Sequence, residues 1–282
     1  MAKPEEAAAE DRGIWSPRSW GLLSRVRARS PVVQCITNFV SMDLMANVLL
    51  AGGASPAMIH SLEEIDDFTP RADALLINVG TLSDAWLPSM RASAAAAARA
   101  GRPWVLDPVA VSASEFRMAA CLELVGLRPA VIRGNASEIL GLSNARRATG
   151  SKGVDSAHES VDALEAAKSL AQSSGAVVAV SGAIDFITDG RRVLGVKNGV
   201  QMLQKITATG CAVTALIAAF IAVDLPHAFE ATACALSVFG LAAELGRDMS
   251  IGPASLRMHL IDSLHGLDEL TVMSKVNIEE LL

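Results

Sequence analysis

Through the first two thirds of the chain, short runs of β-branched and other apolar residues alternate with longer helical stretches. Six such runs are "PVVQCI", "SPAMI", "ALLINV", "PWVL", "AVI" and "AVVAVS". Helical stretches separate most of them, and several of these stretches end in glycine, as helices commonly do. Strands joined by helices usually run parallel. The alternation therefore predicts an α/β fold with a mainly parallel central sheet flanked by helices on both faces.

The later part of the chain departs from this alternation. The segment "DFITDGRRVLGV" places two apolar runs around Asp189-Gly190, a pair that favours a tight hairpin turn. From residue 209 onward the pattern is almost entirely helical. The predicted helices cover residues 209–222, 227–246 and 254–265.

Residues 1–15 form an acidic segment without an apolar core, so we predict a disordered tail there and no signal peptide. No linker, repeat or change of composition divides the rest of the chain. A length of 282 residues fits one large domain or two small ones, and the simpler interpretation is a single domain over residues 16–282.

Composition excludes several classes of partner. The net charge is −6, tyrosine is absent and aromatic residues make up 4% of the chain, which disfavours binding to nucleic acid. The longest apolar run, Cys211–Val223, is shorter than the ~20 residues that a membrane helix needs, so no membrane contact is expected. The four cysteines form no CxxC pair, which indicates a reduced, cytoplasmic protein without a zinc site.

Polar or small residues follow five of the predicted strands, where the ligands of open α/β sheets bind. One polar residue at a strand end is usually a turn or a helix cap. Five such positions at one edge of a sheet are better explained by a ligand site. They are Thr37-Asn38, Gly80-Thr81, Asp107-Pro108, Arg133-Gly134-Asn135 with Glu138 beyond it, and Ser181-Gly182.

The chemistry of these residues favours phosphoryl transfer. Asp107 and Glu138 supply the oxygen ligands that suit Mg²⁺, and Arg133 suits phosphate oxygens. The small residues Thr207–Gly210 precede a long apolar helix, where free backbone N–H groups can bind an anion. Positioning and charge stabilisation by such groups account for most catalysis of phosphoryl transfer. The chain has no GxxxxGK[ST] motif and is therefore not a P-loop enzyme.

Several of these segments together resemble the hydroxyethylthiazole kinase family, in particular its plant-type members. They are "QCITNFVSMDLMANVLLAGGASPAMIH", "LLINVGTL", "WVLDPVAV", "VIRGNASEI", "KGVDS" and "ITATGC". The resemblance runs from about residue 20 to the C-terminus. It implies a ribokinase-like fold and a thiamin-salvage reaction in which ATP phosphorylates the primary alcohol of 4-methyl-5-(2-hydroxyethyl)thiazole. It also implies a homotrimer with active sites between neighbouring subunits.

The resemblance assigns roles to individual residues. It implies that the thiazole alcohol contacts Asn38, Met58, Gly80, Pro108 and Ala208. It implies that ATP contacts Arg133, Ser181, Gly182, Thr209 and Gly210, with Asp107 and Glu138 organising Mg²⁺. The segment around Lys152-Gly153 is expected to be a loop near the nucleotide or a solvated loop.

Two positions near the last of these motifs raise separate expectations. Bacterial relatives usually carry glycine at the position of Ala208, and because alanine is unfavourable at positive φ, we expect the loop to avoid that conformation. Ribokinase-like sugar kinases place an aspartate base where thiazole kinases, and this chain, place cysteine, here Cys211. We expect Cys211 to hold the substrate hydroxyl and accept its proton late; the alternative is a small buried residue at a helix start.

Two further functions remain open at this point. The acceptor could be a hydroxymethylpyrimidine-type alcohol, against which the "ITNFV" and "GASPAM" segments argue. The chain could also be a catalytically silent protein that binds ATP or thiazole, although such a binder would not need Asp107, Arg133, Glu138 and the ATGC turn together.

Overall fold

The computed structural model describes residues 4–148 and 159–281, so the Lys152-Gly153 segment lies outside the described residues. Within them the chain forms a nine-stranded sheet. Its strands are β1 (Val32–Ile36), β2 (Ser55–Ala57), β3 (Ala74–Asn78), β4 (Trp104–Asp107), β5 (Val131–Asn135), β6 (Val177–Ser181), β7 (Asp185–Thr188), β8 (Val193–Val196) and β9 (Ile278–Glu280).

The strands lie in the order β2-β1-β3-β4-β5-β6-β7-β8-β9. All pairings from β2 through β6 are parallel, whereas β6 to β9 pair antiparallel. The mainly parallel sheet and the hairpin at Asp189-Gly190 are thus both confirmed. Strand β9 was missed, because its three residues follow a long helical region and carry two glutamates.

Helices connect the parallel strands and complete the C-terminal region. They are α1 (Pro4–Arg29), α2 (Met42–Gly52), α3 (Leu62–Phe68), α4 (Leu87–Arg99), α5 (Glu115–Gly126), α6 (Ala136–Ala148), α7 (Glu159–Ser174), α8 (Thr209–Val223), α9 (Ala228–Asp248), α10 (Pro253–Gly266) and α11 (Glu269–Lys275). The three helices predicted after residue 209 correspond to α8, α9 and α10 within two residues at each end.

The sheet separates two hydrophobic clusters, because successive side chains of a strand point to opposite faces. Leu76 on β3 and Val105 on β4 belong to the cluster packed under α1, α2, α8 and α9. Their neighbours Leu75 and Leu106 belong to the cluster packed under α4 to α7. The strands are therefore buried on both faces, as the sequence pattern predicts for a parallel sheet covered by helices.

The predicted boundary of the N-terminal tail is wrong. Helix α1 begins at Pro4, and Trp15 is 7% exposed within the hydrophobic cluster that also contains Leu22, Leu23 and Val26. The acidic composition at the chain start favoured disorder. Burial of the tryptophan against the sheet-covering helices overrides it, since a buried aromatic side chain contributes a large apolar area.

Helix α9 forms much of the core on one side of the sheet. Together with the turn before it, Leu225–Asp248 is the one stretch among the described residues that is long and apolar enough to cross a bilayer. Its most apolar window is 83% buried inside the fold. The apolar composition of α9 is therefore explained by packing in the core.

Two glycines inside helices predict opposite effects of an added methyl group. Gly21 in α1 is exposed, and a Cβ there would meet nothing within 4 Å. Gly21→Ala should therefore raise the free energy of unfolding by ~0.5–1 kcal/mol. A Cβ on Gly240 in α9 would lie 2.4 Å from the Asn198 carbonyl oxygen, so Gly240→Ala should lower it by ~1–3 kcal/mol.

Urea unfolding of both variants beside the parent protein measures this difference. The two substitutions add the same group to the same kind of element, so each serves as the control for the other. No destabilisation by Gly240→Ala would contradict the packing of α9 against Asn198, and destabilisation by Gly21→Ala would contradict the open space around Gly21 in α1.

Candidate active site

Three polar side chains near the carboxyl ends of neighbouring parallel strands point to the same face of the sheet. Asn78 ends β3, Asp107 ends β4 and is its cross-strand partner, and Arg133 lies on β5. Each is two residues beyond a side chain of the α8-facing cluster, namely Leu76, Val105 and Val131. Because strand side chains alternate, all three polar groups lie under the N-terminus of α8.

A chain of hydrogen bonds joins Asn78 and Asp107 to α8 and to Asn38, which follows β1. The Asn38 amide donates to Asn78 Oδ1 at 2.9 Å, and the Asn78 amide donates to Asp107 Oδ2 at 2.8 Å. The Thr214 hydroxyl lies 3.1 Å from the same Asp107 oxygen and 2.9 Å from the Gly210 carbonyl oxygen. The Asp107 carboxylate is thus bound to α8 at Thr214, which lies one helical turn after Gly210.

Asp107 is 1% exposed, and this burial raises the pKa of its carboxyl group to about 6. The positive charge of Arg133 lowers the pKa and the negative charge of Glu138 raises it, while hydrogen bonds from Thr214 and Asn78 stabilise the ionised form. Burial is the largest of these effects. An acid in this range is ionised at neutral pH but retains a substantial affinity for cations.

The start of α8 presents free backbone amides to the same region. Ala212 is the residue whose N–H bonds back to the Ala208 carbonyl, at 2.9 Å, so the amides of Thr209, Gly210 and Cys211 precede that first helical bond. Thr209 and Gly210 belong to the first turn of α8, which begins where the predicted helix over residues 209–222 begins. These amides and the helix dipole provide an anion site.

Ala208 caps α8 in the left-handed conformation, with φ +67°. The expectation that this loop avoids positive φ is therefore wrong. An alanine there costs about 1–2 kcal/mol relative to the right-handed region. The chain tolerates this cost because the sharp reversal turns the amides of the first helical turn toward the sheet.

Arg133 lies directly against the start of α8. A Cβ built on Gly210 would lie 2.7 Å from the Arg133 Nη1 atom, so glycine is needed for the guanidinium to approach the helix. The Nε atom of Arg133 is buried and has no hydrogen-bond partner among the described residues. An arginine with an unused donor beside an anion-binding helix end is suited to phosphate oxygens.

A cavity of about 580 Å³ opens beside Arg133. All five residues predicted to contact ATP line it, which brings together side chains from β5, β6 and α8. Its apolar lining includes Val213, Leu236 and Phe239. The residues predicted for ATP are Arg133, Ser181, Gly182, Thr209 and Gly210.

Glu138 ties two loops together at the edge of this site. Its Oε1 atom accepts the Ala110 N–H at 2.8 Å, and its Oε2 atom accepts the Asn135 N–H at 2.8 Å. The loop after β4 and the end of β5 are therefore fixed by one carboxylate. Of the two predicted metal ligands, Asp107 is buried and Glu138 lies at the more exposed edge of the site.

Cys211 directly follows Gly210 but is not among the residues that line the cavity, and it lies next to Asn38. The Asn38 amide donates to Cys211 Sγ at 3.7 Å. Burial, with the nearby Asp107 charge as the second cause, raises the pKa of the thiol to about 11. Cys211 is consequently a neutral thiol at physiological pH, whereas Cys35, Cys121 and Cys234 are buried in the core as expected.

The residues predicted for the thiazole alcohol are placed less uniformly. Gly80 is packed against Asn38, whose side-chain atoms would lie within 2.8 Å of an added Cβ, and Pro108 directly follows Asp107. Met58 is partly buried against the cluster under α8. Cys211 packs against the same cluster.

Three site residues were missed in the sequence. Asn78 lies inside an apolar run and Thr214 inside an apolar helix, and a lone polar residue in each was the available signal. Asp185 begins β7, lines the cavity and accepts the Gly182 N–H at 2.9 Å. Its burial raises the pKa of its carboxyl group, and the Arg133 charge partly offsets that effect.

Removing the charge of Asp107 should stabilise the protein. The folded-state pKa of about 6 exceeds the unfolded reference of 3.8, so the folded form retains a proton between these values and loses stability as pH rises through them. Asp107→Asn keeps an oxygen for Asn78 and Thr214. It should raise the unfolding free energy by ~1–3 kcal/mol at neutral pH.

Chemical unfolding in metal-free buffer at pH 4.5 and pH 7.5 measures this effect, and the gain from Asp107→Asn should shrink at the lower pH. Asp66→Asn is a suitable control, since the Asp66 side chain is 88% exposed. Lower stability of Asp107→Asn at pH 7.5 would mean that the buried charge is stabilising.

Comparison with known proteins agrees with this geometry. A profile of the hydroxyethylthiazole kinase family matches residues 23–269. Hydroxyethylthiazole kinase of Zea mays is 68% identical over 94% of both chains, and that of Arabidopsis thaliana is 62% identical over 96% of this chain and 98% of its own.

Solved structures give the same result. Hydroxyethylthiazole kinase from Pyrococcus horikoshii OT3 superposes with a TM-score of 0.87 at 37% identity, covering 94% of this chain and all of that one. Bacillus subtilis pyridoxal kinase, solved as an ADP complex, matches with a TM-score of 0.55 at 18% identity and supports the ribokinase-like fold alone. The chain therefore belongs to the hydroxyethylthiazole kinase family.

Proposed function

We propose that this kinase transfers the γ-phosphate of ATP to the primary alcohol of 4-methyl-5-(2-hydroxyethyl)thiazole at the N-terminus of α8. The observation that carries the proposal is that Arg133 and Gly210 line a nucleotide-sized cavity, while Cys211, the residue directly after Gly210, contacts Asn38. A phosphate there would meet the helix amides and the guanidinium together. An alcohol beside Cys211 would then face that phosphate.

The cavity suits a nucleotide along its length. Arg133, Thr209 and Gly210 at one end would bind phosphates, and the apolar wall that includes Leu236 and Phe239 would pack against the base. Ser181 and Gly182 lie between these ends at the close of β6.

The carboxylates near the phosphate end fit Mg²⁺. Sites for this ion in kinases commonly use one or two carboxylates, with phosphates and water completing the coordination. Among the described residues no group of three or more side chains forms an all-protein metal site, and the hydrogen bonds from Asn78 and Thr214 both end on Asp107 Oδ2 rather than Oδ1. Asp107 would hold the ion directly, and Glu138 would act at the edge through water. The ion would neutralise charge on the transferring phosphoryl group.

Cys211 is proposed to position the acceptor hydroxyl. A thiol with a pKa of about 11 is almost entirely protonated at neutral pH and cannot serve as a strong base. The loose transition state of phosphoryl transfer needs little early removal of the proton. Asn38 fixes the sulfur from one side, so that the thiol can act as a hydrogen-bond partner of the alcohol.

We further propose that the protein is a homotrimer whose thiazole sites lie between subunits. We also propose that it is cytoplasmic. Phe39 and Val40, which directly follow Asn38, are 69% and 61% exposed and would be covered by a neighbouring subunit. A solution mass of about three times the 29.4 kDa chain, by light scattering, supports the trimer. A monomeric mass for the active enzyme would refute it.

The proposed reaction predicts a phosphate ester when the protein is incubated with Mg-ATP and the thiazole alcohol. The product is detected by mass spectrometry and by coupled ADP release. A hydroxymethylpyrimidine alcohol under the same conditions is the matched comparison. Faster turnover of the pyrimidine would change the acceptor assignment, and no turnover of either alcohol would refute the kinase proposal.

Arg133→Met should weaken nucleotide use selectively. The substitution keeps much of the side-chain volume but removes the charged donors, so KM for Mg-ATP should rise by about tenfold or more. KM for the thiazole alcohol should change by about twofold or less, because the acceptor is proposed to lie beside Cys211, which does not line the cavity. Arg99→Met, at an exposed ion pair with Asp66, is the control. Equal changes in both KM values would argue against the assignment.

The dependence of kcat on pH should distinguish a neutral thiol from a thiolate base. With a pKa of about 11, the thiol should contribute no rise in kcat between pH 7 and 9. Cys211→Ser keeps a hydrogen-bonding group and should lower kcat by about tenfold or less, with an unchanged profile shape. A rise in kcat between pH 7 and 9 that is present in the parent enzyme and absent from Cys211→Ser would identify the thiolate as the base.

A further inference from the structure

The segment that leaves the sheet after β8, and that ends in a 3-10 helix over Gln201–Lys205, forms part of the cavity lining. Its lining residues include Asn198, Gly199, Val200, Gln201 and Leu203. The segment lies beyond the β8–β9 pairing, whose last partners are Val196 and Ile278. Sheet hydrogen bonds therefore do not hold the segment in place.

The Asn198 side chain anchors the start of the segment, whereas the Thr209 hydroxyl donates to the Leu203 carbonyl oxygen near its end, at 3.2 Å. The Asn198 amide nitrogen donates to both carboxylate oxygens of Glu244, at 3.2 and 3.3 Å, and to the Lys275 carbonyl at 3.0 Å. Its Oδ1 atom accepts the Ser237 hydroxyl at 2.6 Å and the Asn277 N–H at 2.8 Å. One side chain thus joins the segment to α9, to the end of α11 and to the start of β9.

Glu244 makes a second contact with the same segment. Its Oε1 atom accepts the Gly199 N–H at 2.8 Å, and Gly199 adopts φ +136°, a conformation that favours glycine. Gly240, one turn earlier on α9, lets the Asn198 backbone lie directly on the helix. Glu244 does not line the cavity. It therefore contacts the segment without forming part of the cavity lining.

We propose that Asn198 and Glu244 are positioning residues for the nucleotide, and that they act by holding residues 198–204 as a preformed cavity wall. The inference rests on the proposed nucleotide site. A segment that is already ordered does not lose conformational freedom on binding, so anchoring it increases affinity even through a residue such as Glu244 that does not line the cavity. On the acceptor side, neither Asn38 nor Cys211 forms a hydrogen bond with Asn198 or Glu244 among the residues that the structure describes.

Glu244→Ala tests the proposal, because it removes the acceptor of both Asn198 and Gly199. KM for Mg-ATP and the Kd of ADP from calorimetry should each rise about tenfold. KM for the thiazole alcohol and kcat at saturating ATP should change by about twofold or less. Glu230→Gln is the matched control, since Glu230 lies on the same helix, pairs with Arg192 and does not line the cavity.

A double variant separates positioning from direct contact. Asn198→Asp loses the amide donor and places one carboxylate against another, so it should weaken ADP binding at least as strongly as Glu244→Ala. Adding Glu244→Gln restores a donor opposite the new carboxylate and should recover most of that loss. If Asn198 acted by touching the nucleotide, a change at Glu244 would not restore binding.

These experiments distinguish an error in the positioning role from an error in the proposed function. If the parent protein neither binds ADP nor phosphorylates the alcohol, the nucleotide site itself is refuted. If the parent does both and folded Glu244→Ala retains its ADP affinity, the positioning role is refuted. Equal rises in both KM values for Glu244→Ala, or absence of rescue in the double variant, would also overturn it.

Discussion

The buried carboxylate of Asp107 is the contact on which the arrangement of the site depends. Asn78 reaches it from the neighbouring strand and Thr214 from α8, so one charged group connects two strands to the helix that covers them. Burial of such a group is unfavourable unless it is hydrogen-bonded. The hydrogen bonds of Asp107 fix the position of α8 relative to the sheet. That position places the amides of the first helical turn above the strand ends.

Close approach of backbone and side chains completes the site. Gly210 allows the Arg133 guanidinium to lie against the helix start, and Gly80 allows Asn38 to lie against the end of β3. Ala208 reverses the chain in a conformation unfavourable for alanine. Strained or close-packed backbone of this kind is retained where the surrounding structure enforces it, which is typical of functional sites. The same region therefore combines an anion site, a buried acid and a neutral thiol.

Much of the fold and part of the site follow from local sequence pattern. Local sequence predicted three features, since each depends on neighbouring residues. They are the alternation of strands and helices, the hairpin at Asp189-Gly190 and the five polar strand ends. The tail boundary failed, because burial of Trp15 by distant helices outweighed local composition. The roles of Asn78 and Thr214 were not predicted, since their partners are 29 and 107 positions away.

The sequence by itself determined the α/β class, the family resemblance and the set of polar groups at one edge of the sheet. Strand patterns are set by neighbouring residues, because successive side chains point to opposite faces. The polar groups share one edge because the carboxyl ends of parallel strands lie together. Tertiary structure decided the protonation of Cys211, the conformation of Ala208 and the anchoring of Asn198 by Glu244. Each depends on burial or on contact between residues far apart in the chain, which local pattern does not encode.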